Sequence, residues 1–353
     1  GYIKLTGFTR TASSEVRAAF KELRDKEGME QLIFDLRGNG GGLLREAVNI
    51  VNFFVPKGEE IVSTRGKLED WNKTHVGLNE PLDTNIPVVI LIDGTSASAS
   101  EIVSGALQDY DRAVVVGNTS FGKGLVQQTK DVAYNTKLKL TVAKYYIPSG
   151  RCIQKLDYSH RSREGDVDEV PDSLITPFLT KGGRTVFDGR GISPDVEVEL
   201  DELSHVLRGL MISHVDFHWA TLFAAGRDSI TDPANFRLTD DDYASFVEFA
   251  MASDFDYSTG TEEYFDRLKD VAEAERYFKG AEGEFEQLLD KIKPNRSEDL
   301  IRFKDQIKQH LEHEVVARST YQTGRIKNQL NVDPVVKKAF DVFASSYDQI
   351  LSN

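Results

Sequence analysis

Short apolar runs alternate with helix-like segments along the first part of this 353-residue chain. Short runs of this kind, bounded by polar residues, are typical of buried strands, and they occur at residues 2–5, 31–36, 87–93 and 113–117. Helices are predicted between them, at residues 13–27, 44–54 and 98–109. Because strands alternate with helices, the sequence predicts an α/β fold with a parallel or mixed sheet.

A glycine-rich segment follows the second predicted strand. Residues 35–42 have the sequence Asp-Leu-Arg-Gly-Asn-Gly-Gly-Gly, and successive glycines let backbone N–H groups approach a bound atom closely. A tight turn between a strand and a helix explains the same pattern. The spacing does not match the Gly-x-Gly-x-x-Gly loop that binds dinucleotides, and the chain has no Gly-x-x-x-x-Gly-Lys-Ser/Thr phosphate loop.

A candidate nucleophile stands at the start of the third predicted helix. Ser98 lies in Ser-Ala-Ser-Ala-Ser-Glu at residues 96–101, and Lys123 follows 25 residues later in Phe-Gly-Lys-Gly. A serine hydroxyl needs a base beside it, and a lysine can serve when desolvation or positive neighbours keep it neutral. We therefore expect Lys123 to be buried. Taken singly, Ser98 and Glu101 also fit a capping box, and the lysine segment also fits an ordinary turn.

Taken together, these segments resemble the C-terminal processing (tail-specific) peptidases, which are serine peptidases with a Ser-Lys dyad. Residues 145–151 (Tyr-Tyr-Ile-Pro-Ser-Gly-Arg) and 187–195 (Phe-Asp-Gly-Arg-Gly-Ile-Ser-Pro-Asp) agree with the same family. The resemblance covers about residues 1–200 and does not extend to residues 201–353. It implies a peptidase core over residues 1–200 with a crotonase/Clp-protease-like mixed sheet and covering helices.

The resemblance assigns catalytic roles to three side chains. Ser98 is the implied nucleophile, and its spacing from the lysine selects it over Ser96 and Ser100. Lys123 is the implied general base. Gln127 matches the family glutamine that orients the lysine, and residues four apart on a strand share a face, so this contact is geometrically possible.

The resemblance also implies an oxyanion hole made of two backbone N–H groups. One belongs to Ala99, the residue after the nucleophile, and the other to Gly42 in the glycine-rich segment, with Gly41 as the alternative. A nucleophile at a helix start independently favours this arrangement. Unpaired N–H groups and the positive end of the helix dipole both stabilise the negative charge that develops in the reaction.

Substrates and location follow from the resemblance as well. Members of the family cleave proteins or peptides that have accessible C-terminal segments, need no cofactor, and work in the periplasm or cell envelope. They commonly carry a signal sequence and a PDZ domain. We expect neither in this chain, which starts at Gly1 with a strand-like segment, and we interpret it as a fragment or a mature form.

Composition and charge exclude several other functions. The formal net charge of −14 argues against nucleic-acid binding, and no apolar run is long enough to span a membrane. His214 with His218, and His310 with His313, have a spacing that can place each pair on one helix face, but neither pair has the His-Glu-x-x-His pattern of zinc enzymes. We therefore expect no metal and no other cofactor.

Residues 201–353 are predicted to form a separate all-α domain. They contain long helix-favouring stretches, and one apolar stripe (Phe278, Phe285, Leu288, Leu289 and Ile292) repeats at helical spacing. Such a stripe must be buried within this domain, against the core or against another copy of the chain. We expect a helical domain that packs on the core and takes part in homo-oligomer formation or access control.

Two other function classes remain open at this stage. One is a catalytically silent relative of the same fold that binds peptides or acts as a scaffold. The presence of Ser98, Lys123 and Gln127 argues against it, because a binding module does not need all three. The other is a crotonase-type or other acyl hydrolase acting on thioesters, which the lack of a nucleotide-binding motif disfavours.

Overall fold

The computed structural model of the protein describes residues 1–161, 166–200, 202–227 and 229–352. It divides the chain into two units. The first unit contains Gly1–Glu199 together with Pro334–Asn353, and the second contains Leu200–Asp333.

Strands occur only in the first unit, as far as the described residues go. They are β1 (Tyr2–Lys4), β2 (Leu32–Asp35), β3 (Glu60–Gly66), β4 (Lys73–Val76), β5 (Val88–Ile92), β6 (Val114–Gly117), β7 (Leu125–Asp131), β8 (Lys137–Tyr146), β9 (Leu156–Arg161), β10 (Val167–Glu169), β11 (Pro177–Leu179), β12 (Thr185–Phe187) and β13 (Val196–Glu197).

The α-helices occur in both units. They are α1 (Ala12–Glu27), α2 (Leu44–Val51), α3 (Ala99–Asp109), α4 (His205–Ile212), α5 (Val215–Ala225), α6 (Asp240–Ala252), α7 (Gly260–Ala274), α8 (Glu282–Ile292), α9 (Arg296–Arg302), α10 (Lys304–Leu330), α11 (Pro334–Ser345) and α12 (Tyr347–Ser352). Short 3-10 helices occur at Glu69–Trp71, Asp172–Leu174 and Phe278–Gly280.

A five-stranded parallel sheet forms the centre of the first unit, in the order β1-β2-β5-β6-β13. Every residue of β2 and β5 is buried, as expected for a parallel sheet covered on both faces. The segments after β2 and β5 leave neighbouring strands at the same edge of the sheet. This topology brings the glycine-rich segment and the Ser98 segment side by side.

A second, antiparallel sheet has the order β4-β3-β8-β7. Strands β7 and β8 form a long hairpin that starts two residues after Lys123. Two smaller antiparallel pairs, β9 with β10 and β11 with β12, complete the strands of this unit. Together, the two larger sheets and their helices confirm the predicted α/β class, with strands in both parallel and antiparallel pairs.

The elements described in the second unit are all helices, which confirms the predicted all-α class. Its core is an apolar cluster contributed by α4, α5, α6, α9 and α10, and includes Leu207, Trp219, Phe246, Leu300 and Leu311. Helix α10 is kinked at Tyr321, whose φ of 56° lies in the left-handed region.

The chain after Asp333 differs from the predicted helical domain of residues 201–353. Helices α11 and α12 belong to the first unit, where α11 packs against β5 and β6. The reason is an apolar face on α11, because Val335, Val336, Ala339 and Val342 are all buried. The Tyr347 hydroxyl then accepts a hydrogen bond of 2.9 Å from the N–H of Val88 at the start of β5.

The predicted apolar stripe is only partly covered within the second unit. The ring of Phe285 contacts the rings of Phe265 and Phe278, with centroid distances of 5.6 Å and 5.2 Å. Leu288 and Leu289 stay exposed, and α8 contains no buried residue. Phe278, Phe285 and Ile292 are half-buried, so the expectation that this stripe is buried is met only in part.

The hydrogen bond from Val88 to Tyr347 gives a first prediction. Replacing Tyr347 with phenylalanine leaves a buried N–H at the start of β5 without an acceptor, which we expect to lower the free energy of unfolding of the first unit by about 1–3 kcal/mol. Urea unfolding followed by hydrogen exchange at the Val88 amide measures the effect. Tyr134→Phe, at a side chain that is 98% exposed, is the matched control. Equal unfolding of the two variants would mean that α12 does not stabilise the central sheet.

Candidate active site

The glycine-rich turn after β2 is held in place by the buried side chain of Asn39. Its Nδ2 donates to the carbonyl oxygen of Leu5 at 2.7 Å, and its Oδ1 accepts from the N–H of Gly41 at 2.9 Å. Its own carbonyl oxygen accepts from the N–H of Ala97 and from the Ser100 hydroxyl, at 3.1 Å and 2.8 Å. Asn39 therefore ties the glycine-rich turn to the segment that carries Ser98.

Gly41 packs directly against the Ser98 turn. Its φ is 100°, and a Cβ at this position would lie 2.8 Å from the Cβ of Ser98 and 2.6 Å from the carbonyl oxygen of Ala97. Only glycine fits so close a backbone approach. Since Asn39 occupies the N–H of Gly41, and Gly42 has no acceptor for its N–H among the described residues, Gly42 is the better placed of the two predicted donors.

Ser98 differs from its two neighbouring serines in what surrounds it. The Ser96 hydroxyl donates to the carbonyl oxygen of Leu36 at 2.9 Å, and Ser100 donates to Asn39; both serines are fully buried. Ser98 is partly exposed and precedes the first residue of α3. Its φ of 58° is unusual for a residue with a side chain, and the turn presents this serine beside an open cavity.

A buried carboxylate connects the Ser98 turn to the lysine loop. Glu101 is 0% exposed, and it accepts the backbone N–H groups of Ser98, Gly122 and Lys123 at 2.6, 2.7 and 2.9 Å. The Ser120 hydroxyl donates to the same carboxylate at 2.6 Å. Burial raises the pKa of Glu101, and these hydrogen bonds oppose that rise.

The sequence pattern Ser-x-x-Glu correctly indicates the contact between Glu101 and the N–H of Ser98. It gives no sign that the same carboxylate also holds residues 120–123, which lie about 20 positions away. Glu101 is therefore a positioning residue for both predicted catalytic residues, and local sequence reasoning did not find this role.

Tyr145 on β8 makes a second connection between the same two segments. Its ring is buried, and its hydroxyl lies within hydrogen-bond distance of the carbonyl oxygens of Ser98 and Lys123. Burial is the main cause that raises the pKa of Tyr145 well above its usual value. The hydroxyl therefore stays protonated and remains a hydrogen-bond donor.

The predicted catalytic and oxyanion-hole residues line one cavity of about 450 Å³, apart from Gly41. The lining residues are Gly42, Leu43, Leu44, Thr64, Trp71, Lys73, His75, Ser98, Ala99, Ile102, Lys123, Leu125, Val126, Gln127, Gln128, Lys139, Ala143 and Tyr145. Gln127 lies on β7, which begins two residues after Lys123. The fold thus brings residues from the glycine-rich turn, α3 and the hairpin into a single site.

The surroundings of Lys123 differ from the expected buried base. Lys123 is partly exposed, and Phe121 beside it is 50% exposed. The backbone of Lys123 is held in place, because its N–H donates to Glu101 and its carbonyl oxygen accepts from the Tyr145 hydroxyl. The lysine side chain thus borders a cavity that is open to solvent.

Of the two predicted histidine pairs, His310 and His313 are half-buried in the second unit, whereas His214 and His218 are exposed. His310 Nε2 lies 2.6 Å from a carboxylate oxygen of Asp216, and burial is the main cause that lowers the pKa of His313 to about 4. No group of three His, Cys, Asp or Glu side chains with metal-binding geometry exists in the described part of the chain. A search of the same residues finds no helix that is both long and apolar enough to cross a membrane.

Two family models match the chain. Residues 1–159 match "Peptidase family S41", and residues 206–343 match "Probable PDZ-protease, C-terminal helical domain". The first match includes the glycine-rich turn and the Ser98 turn. The second match lies largely within the helical unit.

Curated relatives agree with the first match. A "Carboxy-terminal-processing protease" of Bartonella bacilliformis is 46% identical over 158 residues, which are 44% of this chain and 36% of the relative. The "Carboxy-terminal processing protease CtpA" of Bacillus subtilis is 34% identical over 179 residues, 51% of this chain and 37% of the relative. The chain therefore matches little more than a third of the length of these relatives.

A solved structure entitled "Photosystem II D1 C-terminal processing protease" is also similar, with 28% identity and a TM-score of 0.43. The match covers 56% of this chain and 42% of that one. The family model and the curated relatives agree that residues 1–159 are similar to peptidase family S41. Within that family they are similar to the C-terminal processing proteases, as the sequence motifs predicted.

The Glu101 contacts give a second prediction. In Glu101→Gln one acceptor oxygen is replaced by an NH₂ group that faces N–H donors. We expect a loss of about 1–3 kcal/mol in the free energy of unfolding and faster hydrogen exchange at the amides of Gly122 and Lys123.

Glu46→Gln is the matched control. Glu46 is also buried, but its carboxylate accepts a single backbone N–H, from Ser13. An exchange rate in the lysine loop that is the same in both variants would contradict the positioning role of Glu101.

Proposed function

We propose that this chain is a serine endopeptidase that cleaves protein substrates near their C-termini by means of Ser98 and Lys123. The observation that carries the proposal is the cavity in which Ser98, Lys123 and Gln127 meet the backbone of Ala99 and Gly42. The match of residues 1–159 to a peptidase family model supports the same chemistry.

In this mechanism the Ser98 hydroxyl attacks the carbonyl carbon of the scissile peptide bond. Lys123, as the neutral amine, accepts the hydroxyl proton and then gives it to the leaving amine. The ester formed on Ser98 is hydrolysed by a water molecule, which Lys123 activates in the same way. Gln127, which lines the same cavity, orients the lysine amine.

The negative charge that develops on the carbonyl oxygen is stabilised by the N–H groups of Ala99 and Gly42. Ala99 is the first residue of α3, so the helix dipole adds to this stabilisation. Removal of one such donor costs about 10²–10³ in rate in other serine enzymes. Asn39 and Glu101 fix the two turns, so the donors are in position before the substrate binds.

Substrates with accessible C-terminal segments are supported by the printed names of the relatives, which are processing proteases of carboxy termini. A location in the periplasm or cell envelope is supported by the motif resemblance alone. Homo-oligomer formation through the helical unit is supported by apolar side chains of α7 and α8 that remain exposed, Leu268, Val271, Leu288 and Leu289.

The third prediction tests the two catalytic side chains. Ser98→Ala and Lys123→Ala should each lower kcat for peptide hydrolysis by at least about 10³-fold, and the double variant should be no worse than either single one, because the two residues act as one unit. Gln127→Ala should cost less, since water can partly replace an orienting group. Cleavage of a C-terminally labelled peptide, followed by mass spectrometry, measures all four variants.

Matched controls exist for both residues. Ser104→Ala removes a buried hydroxyl on the same helix that donates only within α3, and Lys130→Ala removes an exposed lysine of β7 that does not line the cavity. Both should keep full activity. Undiminished turnover in Lys123→Ala would sink the proposed mechanism, and peptide binding without any cleavage by the unmodified chain would favour the silent relative.

A further inference from the structure

The charge of the catalytic cavity is opposite to the charge of the whole chain. Aspartate and glutamate outnumber lysine and arginine by 57 to 43, which gives a formal net charge of −14. Among the residues that the structure describes, the lining of the cavity nevertheless includes Lys73, Lys123 and Lys139, together with His75, and no aspartate or glutamate. Two cationic side chains in one concave site, Lys73 and Lys139, attract ligands of negative charge.

Two of these lysines have no assigned role in the chemistry. Lys73 on β4 and Lys139 on β8 are exposed, and neither forms an ion pair among the described residues. Other lysines nearby do have partners. Lys137 lies 3.0 Å from Asp131, and Lys155 lies 2.7 Å from Glu169.

The register of the antiparallel sheet puts Lys73 on the face that carries Tyr145, which lines the cavity. Lys73 is paired with Thr64 on β3, and Thr64 is paired with Tyr145 on β8. Directly opposite residues of antiparallel strands share a face, and adjacent strands are about 4.8 Å apart. Lys73 therefore lies about 10 Å across the sheet from Tyr145, whose hydroxyl reaches the carbonyl oxygens of Ser98 and Lys123.

Lys139 borders the same cavity from further along β8. The pairing of β8 with β7 shifts by one residue between Ala143 and Thr141. Lys139 lines the cavity on one side of this β-bulge, and Ala143 and Tyr145 line it on the other. The acidic residues nearest to Lys73 in the chain, Glu69 and Asp70, lie in the preceding 3-10 helix and do not line it. The two lysines thus border one cavity from different strands.

The charge of Lys73 acts inside the cavity. The pKa of His75 is lowered, mainly by burial and additionally by the positive charge of Lys73. This lysine therefore contributes to a positive potential at a lining residue. A peptide has few groups that complement such a potential, and the carboxylate is the one that carries a full negative charge.

We propose that Lys73 and Lys139 bind a carboxylate of the peptide substrate, so that the cavity selects acidic segments next to the scissile bond. The carboxylate belongs either to an aspartate or glutamate side chain or to the free C-terminus of the peptide. A lysine is a point charge on a flexible stem, so the selection is for charge more than for one side-chain shape. The proposal rests on the proposed function and names the substrate class of that same site.

The test measures binding, so it does not depend on turnover. Ser98→Ala protein is titrated into fluorescein-labelled alanine-rich peptides that differ only in a single glutamate or glutamine, each with a free or an amidated C-terminus. Fluorescence anisotropy gives Kd for each. We expect the glutamate peptide or the peptide with a free C-terminus to bind about 5-fold more tightly than its neutral partner. This factor corresponds to the interaction free energy of an exposed charge pair. The preference should shrink as salt is added.

Substitutions then assign the effect to the two lysines. In the Ser98→Ala background, Lys73→Gln and Lys139→Gln should each reduce the ratio of Kd values, the double variant should bring it close to one, and Lys73→Arg should keep it. Lys130→Gln is the matched control, because Lys130 is exposed on the same hairpin but does not line the cavity.

The outcomes separate this inference from the proposed function. A charge preference that disappears with Lys73 and Lys139 supports the inference, and the two pairs of peptides show which carboxylate is bound. Equal Kd values for all four peptides overturn it, as does a preference that survives the double substitution. Absence of cleavage by protein with Ser98 intact would refute the proposed function, while the binding data still decide the inference.

Discussion

The buried carboxylate of Glu101 is the contact on which the site depends. Its four donors come from the Ser98 turn and from residues 120–123, which are joined to different strands of the central sheet. An isolated carboxylate is costly to bury, so the fold gains from this residue only while all four donors are present. The Ser98 turn and residues 120–123 are thereby held in the one arrangement in which both donate hydrogen bonds to Glu101.

The same contacts explain how the Ser98 turn tolerates an unfavourable backbone. A residue with a side chain in the left-handed region costs about 1–3 kcal/mol, and Ser98 has a φ of 58°. Glu101 holds the N–H of Ser98, Asn39 holds the N–H of the preceding residue, and Gly41 leaves room for the turn. The strain is therefore balanced by contacts that also define the predicted oxyanion hole.

Much of this organisation could be predicted from local patterns. The predicted strands at residues 31–36 and 87–93 contain β2 and β5, and the predicted helix at residues 98–109 contains α3, because runs of apolar side chains report burial directly. Ser98, Lys123, Gln127, Ala99 and Gly42 were predicted from motifs and meet in one cavity. Their catalytic roles stay predictions.

The features that local sequence patterns did not predict depend on contacts between segments that are distant in the sequence. The second role of Glu101, the partly exposed side chain of Lys123 and the return of α11 to the first unit all arise from packing that no short pattern records. The unpaired lysines of the cavity are of the same kind, since Lys73 and Lys139 are 66 positions apart in the sequence and line one cavity.

The return of α11 and α12 has a consequence for the order in which the chain is made. The ribosome completes the helical unit, Leu200–Asp333, before these two helices emerge. Until then the surface of β5 and β6 that α11 covers is bare, and the N–H of Val88 lacks its tyrosine partner. The strand that leads to Ser98 is thus fully supported only after the helical unit has been made, so a chain interrupted within that unit carries the nucleophile without the helices that brace its sheet.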